Sequence, residues 1–188
     1  MKVPMIGAVL GLLLTTTAQA DPFLVIPGRS LGRTHLGLNG AAELKRLPTP
    51  TASDAAMMHD ELVWVSRPTH GGGPNTLYIR TLSNSVLETP VPGVTIYEIR
   101  ATSPLFHTRV GIPPGCTLAQ IHRRFPQGHL VKTPGNFYVA DHQGIAFAFM
   151  RAPKSTTRCA AVSVYPPGIG HNLATFVQVS DLIKSGHT

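Results

Sequence analysis

The chain has 188 residues, of which 43% are hydrophobic and 13% charged, with a formal net charge of +7 at pH 7. That length fits one compact domain or two small ones, and the apolar content is enough for a core. The positive charge is scattered, with no aromatic-interleaved basic stripe and no zinc-finger or RNP-like pattern, so the common nucleic-acid-binding modules are excluded while a mild attraction to anionic partners remains.

Residues 1–20 read as an export signal. Lys2 gives a positive start, residues 5–14 are an apolar run too short to span a membrane, and Ala18-Gln19-Ala20 is a small-x-small cleavage site before Asp21. The rival reading is an uncleaved N-terminal anchor. No cysteine stands at the cleavage site for a lipid, so no stable membrane anchor is expected after cleavage. The expected location is the bacterial periplasm or the medium, which leaves nucleic acid out as a partner.

Residues 21–33 form a lead-in segment with a short apolar run, Phe23 to Ile26, closed by Pro27-Gly28, which suits a lead-in edge strand. Residues 34–48 (THLGLNGAAELKRLP) and 108–126 (TRVGIPPGCTLAQIHRRFP) then share a layout. Each has Thr, a long basic-capable residue, an apolar residue, Gly and an apolar residue, then a short helix with Lys/Arg near its end, then an apolar residue and Pro. In the second copy Leu118, Ile121 and Phe125 share one helical face. Thr117 and Gln120 make a capping-box pattern, and Pro126 and Gly128 stop the helix.

Strand patterns follow both helices. In the first half, residues 61–66, 77–82 and 94–100 alternate as strands, with a Gly-rich turn at 68–75 and a loop at 83–93. Residues 49–60 are less clear, and Ala55 to His59 suit a second short helix. In the second half, 136–140, 145–149 and 159–165 read as strands, separated by a turn at 141–144 and a polar loop at 152–158. The expected fold class is therefore α+β. Two tandem units, 34–101 and 108–165, each hold a helix and three antiparallel strands, with the helices packed on one face of the sheet. The tail, 166–188, fits either a helical face or an edge strand.

This layout resembles the β-lactamase inhibitory protein family and, in single copy, the small lipoprotein of the outer-membrane barrel assembly machine. Gly111-Ile112-Pro113-Pro114-Gly115-Cys116-Thr117 with Phe125-Pro126 carries the likeness, and Leu36-Gly37-Leu38 matches it loosely, over roughly residues 32–165. The resemblance implies a binding or inhibitory module. Two departures limit it. The turn at 68–75 holds His70 and three glycines where the inhibitors have an acidic and aromatic tip, and the acylated cysteine of the lipoprotein is absent.

Cys116 and Cys159 are the only cysteines. In an exported chain an even count favours a disulfide, here joining helix start to last strand; the rival is Cys116 as a thiolate nucleophile at a helix N-terminus. The nine histidines form no HxH, HExxH or HxxxH spacing, so no metal is expected. No G-x-S-x-G elbow or phosphate loop occurs, so no catalytic residue and no cofactor are expected. His122, Arg123 and Arg124, with His129 and Lys132, form the densest basic patch, suited to an anionic ligand. Trp64, Tyr78 and Tyr97, with His70 at the turn, are candidate contacts on a protein-docking sheet face. The expected function is a non-enzymatic protein-binding or inhibitory module whose partner is a protein or an anionic envelope polymer. The alternatives are an envelope-assembly factor and a hydrolase or metal-dependent envelope enzyme.

Overall fold

The structure, a computed structural model, describes residues 21–56, 59–67, 74–86, 93–132 and 135–168. The expected signal at 1–20, the His70 turn and the tail beyond residue 168 lie outside the described residues.

In chain order the elements are β1 (Leu24–Ile26), β2 (Ser30–Leu31), β3 (Thr34–His35), α1 (Gly40–Lys45), β4 (Ala52–Ala56), β5 (His59–Ser66), β6 (Asn75–Ser83), β7 (Val94–Ala101), β8 (His107–Thr108), α2 (Leu118–Arg124), β9 (His129–Val131), β10 (Asn136–Ala140), β11 (Ile145–Phe149) and β12 (Ala161–Val164). Two short 3-10 turns follow β6 and β10, at Asn84–Val86 and Asp141–Gln143. The strands form an eight-stranded sheet in the order β4-β5-β6-β7-β12-β11-β10-β9 and a four-stranded sheet in the order β3-β2-β1-β8. Every pairing in the large sheet is antiparallel. Its order is palindromic about the β7–β12 seam: a helix and four strands from the first half meet a helix and four strands from the second.

The α+β expectation is overturned. The chain is mostly β, with two sheets, 45% strand and only 14% helix. Three local causes account for the difference. The helices have six and seven residues, too short to make a layer. Ala55, Ala56 and His59, expected in a helix, lie instead on paired strands β4 and β5, which run from Ala52 opposite Val63 to Ala56 opposite His59. Cross-strand pairing there overrides alanine's helix propensity. Finally, residues 24–35 and 107–108 build the second sheet, and β4 and β9 raise each expected three-strand set to four.

The main core lies between the two sheets and takes in both helices. Val25 and Leu31 of the small sheet meet Ile79, Ile96, Ile99, Ile145, Phe147, Val162 and Val164 of the large one, with Ile121 of α2 and Phe125 just after it. Strand β11 shows the logic: Ile145, Phe147 and Phe149 enter this core, whereas Ala146 faces a smaller cluster with Phe137, Val139 and Tyr165 on the opposite side. At the β10–β11 hairpin Gly144 has φ +68°, and a Cβ there would collide with the Tyr165 carbonyl.

Candidate functional site

Two surfaces gather the chemically capable side chains. The first is the face of the large sheet opposite the main core. A bulge between Arg80 and Thr81 sets Arg80 opposite Glu98 and Thr81 opposite Ile96, leaving Tyr97 as the extra residue on β7. Ile96 and Ile99 thus both reach the core, while Glu98 and Arg100 point to the other face. Glu98 is 3% exposed. Its Oε1 lies 2.6 Å from Arg100 Nη2 and its Oε2 3.5 Å from Arg80 Nη1. Arg80 Nε in turn stands 3.0 Å from Glu61 Oε1 on β5.

Aromatic rings bracket this ladder. The Arg80 guanidinium sits over Tyr97, 5.4 Å from the ring centre. Arg100 sits over both Tyr78 and Phe137, at 5.4 and 5.3 Å. It can lie across β12 because the residues beneath are small: its Nε donates to Ser163 Oγ at 2.9 Å, and Ser163 is paired with Ala146. Burial pushes the Tyr97 hydroxyl up to about 12, with the Glu98 and Glu61 charges adding and Arg80 opposing. Burial, then the Glu61 carboxylate, which accepts from the Tyr78 hydroxyl, raises Tyr78 well above its ordinary value. Burial works against the Arg80 charge, but Tyr97, Glu98 and Glu61 outweigh it and hold the guanidinium charged. The side chains of Arg80, Arg100 and Glu61 remain 28%, 26% and 39% exposed, so the ladder is fixed yet reachable from solvent.

The second surface is a groove of about 680 Å³ between α2 and the edge strand β9. Leu118, Ala119, His122, Arg123, His129 and Leu130 line it, with Tyr138 at its floor. Of the sequence-derived basic patch, His122, Arg123 and His129 line the groove, and Arg124 and Lys132 do not. Tyr138 donates to the Phe125 carbonyl at 2.6 Å. Its oxygen must then accept from His122 Nδ1, 2.6 Å away, which assigns the imidazole proton to Nδ1. Gly128 is required here, since a Cβ would run into the Tyr138 ring.

Of the remaining candidates, Trp64 pairs with Leu77, one register step from Tyr78, and so faces the other side of the sheet. Its Nε1 donates to the Pro48 carbonyl at 2.7 Å, and it lines a cleft of about 430 Å³ with Phe23 and Phe106. Tyr78 and Tyr97 are brought together with the arginines; Trp64 is not. Cys116 and Cys159 are both thiols in this structure and are neighbours across the chain: Cys159 N donates to the Cys116 carbonyl at 2.9 Å. Burial pushes the Cys159 thiol up to about 11 and raises Cys116 as well, with Arg158 opposing. A raised thiol at Cys116 disfavours the nucleophile reading. Among the described residues no three His, Cys, Asp or Glu side chains converge on a position that could hold a metal.

Arg80, Glu98 and Arg100 were not among the sequence-derived candidates. The clue available in sequence is parity: Glu98 and Arg100 are charged residues two apart in the otherwise uncharged run 94–101, a spacing that puts both on one face of a strand. Comparison with protein-family models, curated proteins and solved structures finds no match to this chain. The inhibitory-protein resemblance thus rests on the tandem layout, the Gly111–Thr117 and Phe125-Pro126 motifs and the loose Leu36-Gly37-Leu38 match read from the sequence.

Proposed function

We propose that the chain is an exported, non-enzymatic binding module that docks a protein partner on the ladder face of its large sheet. The observation that carries this reading is the Arg80–Arg100–Tyr78 array, spread over adjacent strands β6 and β7 and held in place by Glu61 and Glu98. Arginine and tyrosine dominate binding hot spots, and side chains already immobilised by ion pairs and ring stacking lose little entropy when a partner arrives. The sequence features of residues 1–20 support export. In an oxidising compartment Cys116 and Cys159 close a disulfide, the two thiols giving two electrons and two protons to that compartment's thiol oxidant. An intact mass two hydrogens lighter before reduction than after it checks this step.

The test of the main reading is affinity capture from the source organism's envelope extract, at low and high salt. Wild-type protein is compared with Tyr78→Ala, after circular dichroism has shown that the variant folds. The expected result is one stoichiometric protein retained at both salts, with affinity for Tyr78→Ala weaker by at least about tenfold. Retention of anionic polymer alone, released by salt, overturns the proposal, as does equal retention by the variant.

A further inference from the structure

We infer that the groove between α2 and β9 is a second docking site, for the C-terminal segment of a partner protein: a short extended peptide ending in an apolar residue and a free carboxylate. This goes beyond the ladder face and does not depend on it.

Backbone, apolar and charged features converge at the groove. Strand β9 ends the large sheet, with β10 on one side and no strand on the other among the described residues. Such an edge carries backbone donors and acceptors that an added strand can satisfy. On β9, Leu130 is opposite Tyr138 and therefore on the side of α2. It is 46% exposed and, with Leu118 and Ala119, forms an apolar seat beside the edge. Arg123 lines the same groove and makes no ion pair or side-chain hydrogen bond among the described residues. His122 stands beside it on α2, whereas His129, opposite Val139, turns its side chain to the other face of the sheet, its Nε2 4.0 Å from Asp141 Oδ2. No carboxylate is among the lining residues. On the loop that carries Ser155, Arg151, Lys154 and Arg158 line a separate hollow of about 540 Å³. Among the described residues Arg123 is the one Lys or Arg lining the groove, and it faces no lining carboxylate, a setting that favours an anionic occupant.

The length of β9 narrows the chemistry further. With three residues it can pair only a short stretch, too little to hold an internal strand of a partner but enough for the last residues of a chain. A fatty-acyl anion would satisfy the apolar seat and the charge but would leave the strand edge unused. A peptide carboxylate uses all three features at once: the backbone extends β9, the terminal side chain sits against Leu118 and Leu130, and the carboxylate meets the Arg123 guanidinium.

The test is fluorescence anisotropy with labelled octapeptides ending in Val, Leu or Phe, each prepared as the free acid and as the C-terminal amide. Titrated with purified protein, at least one acid should saturate, with its amide weaker by at least about tenfold. Arg123→Gln should remove that preference, and Leu130→Lys should weaken the acid itself. Both positions are exposed, and circular dichroism confirms that the variants fold. Tyr78→Ala should bind the acid as wild type does, which separates this groove from the ladder face. The inference is overturned if no acid binds below about one millimolar. It is also overturned if acid and amide bind alike, if Arg123→Gln keeps the preference, or if only dodecanoate binds.

Discussion

Glu98 is the one carboxylate buried among the described residues. A carboxylate 3% exposed is costly to bury alone, and two guanidiniums offset that cost. Removing the closer one takes away the 2.6 Å ion pair and keeps the longer 3.5 Å contact with Arg80. Arg100→Met is therefore expected to lower the unfolding free energy by about 3 kcal/mol, read from urea denaturation. Replacing both partners, as Glu98→Leu with Arg100→Met, should recover most of the loss, because no buried charge is then stranded. A double variant no more stable than the single one would show that packing, and not the charge, sets the cost. At this scale Tyr78 and Tyr97 were legible as candidate contacts from residue type alone. The ion pairs that fix them were not, because strand alternation gives the face of each charge but not its cross-strand partner.

Among the elements, α2 and the β10–β11 hairpin were the most legible, for local reasons. The Thr117–Gln120 pattern predicts a capping box, and both of its bonds are present: Gln120 N donates to Thr117 Oγ1 at 3.3 Å, and Thr117 N to Gln120 Oε1 at 2.8 Å. Strands read at 136–140 and 145–149 occupy those residues, since a four-residue turn and strict alternation fix their register. Of the small sheet only β1 was legible, from the apolar run 23–26, and it lies inside that sheet and not at an edge: the two-residue strands have no period, and β1 pairs with β8 only after the chain has run through the whole first half. Without β9 the groove could not be seen either, although three of its residues stood in the basic patch. Because α2 has seven residues, its cap weighs heavily on it. Thr117→Ala should cost about 1 kcal/mol, seen as a lower thermal midpoint, and Thr117→Ser should restore it.

Over the whole molecule the two halves share one core. Ile79, Ile96 and Ile99 come from the first half, and Ile121, Phe147 and Val162 from the second. Thermal unfolding should therefore be a single transition by calorimetry; two separate transitions would show that the halves stabilise themselves independently. Its midpoint should fall in alkali, for a reason whose sign can be worked out. Cys159 is held at about 11 against an ordinary 9.0, and Tyr97 at about 12 against 10.0. In each case the unfolded state gives up its proton first, so stability present at neutral pH is lost as pH rises through these windows. Reduced protein should begin to lose stability near pH 9, and protein with the disulfide closed nearer pH 10, where the tyrosines begin to ionise.

The seam between β7 and β12 has a consequence for how the sheet responds to dilution. Val162 opposite Ala101 and Val164 opposite Ile99 join the last strand of each half in antiparallel pairing, the arrangement a two-fold axis generates between two copies of one four-stranded unit. In such a dimer the seam would loosen as concentration fell. Here residues 102–160 tether one strand to the other, so the pairing is governed by an effective concentration set by the chain itself, and the eight strands stay together however dilute the protein becomes.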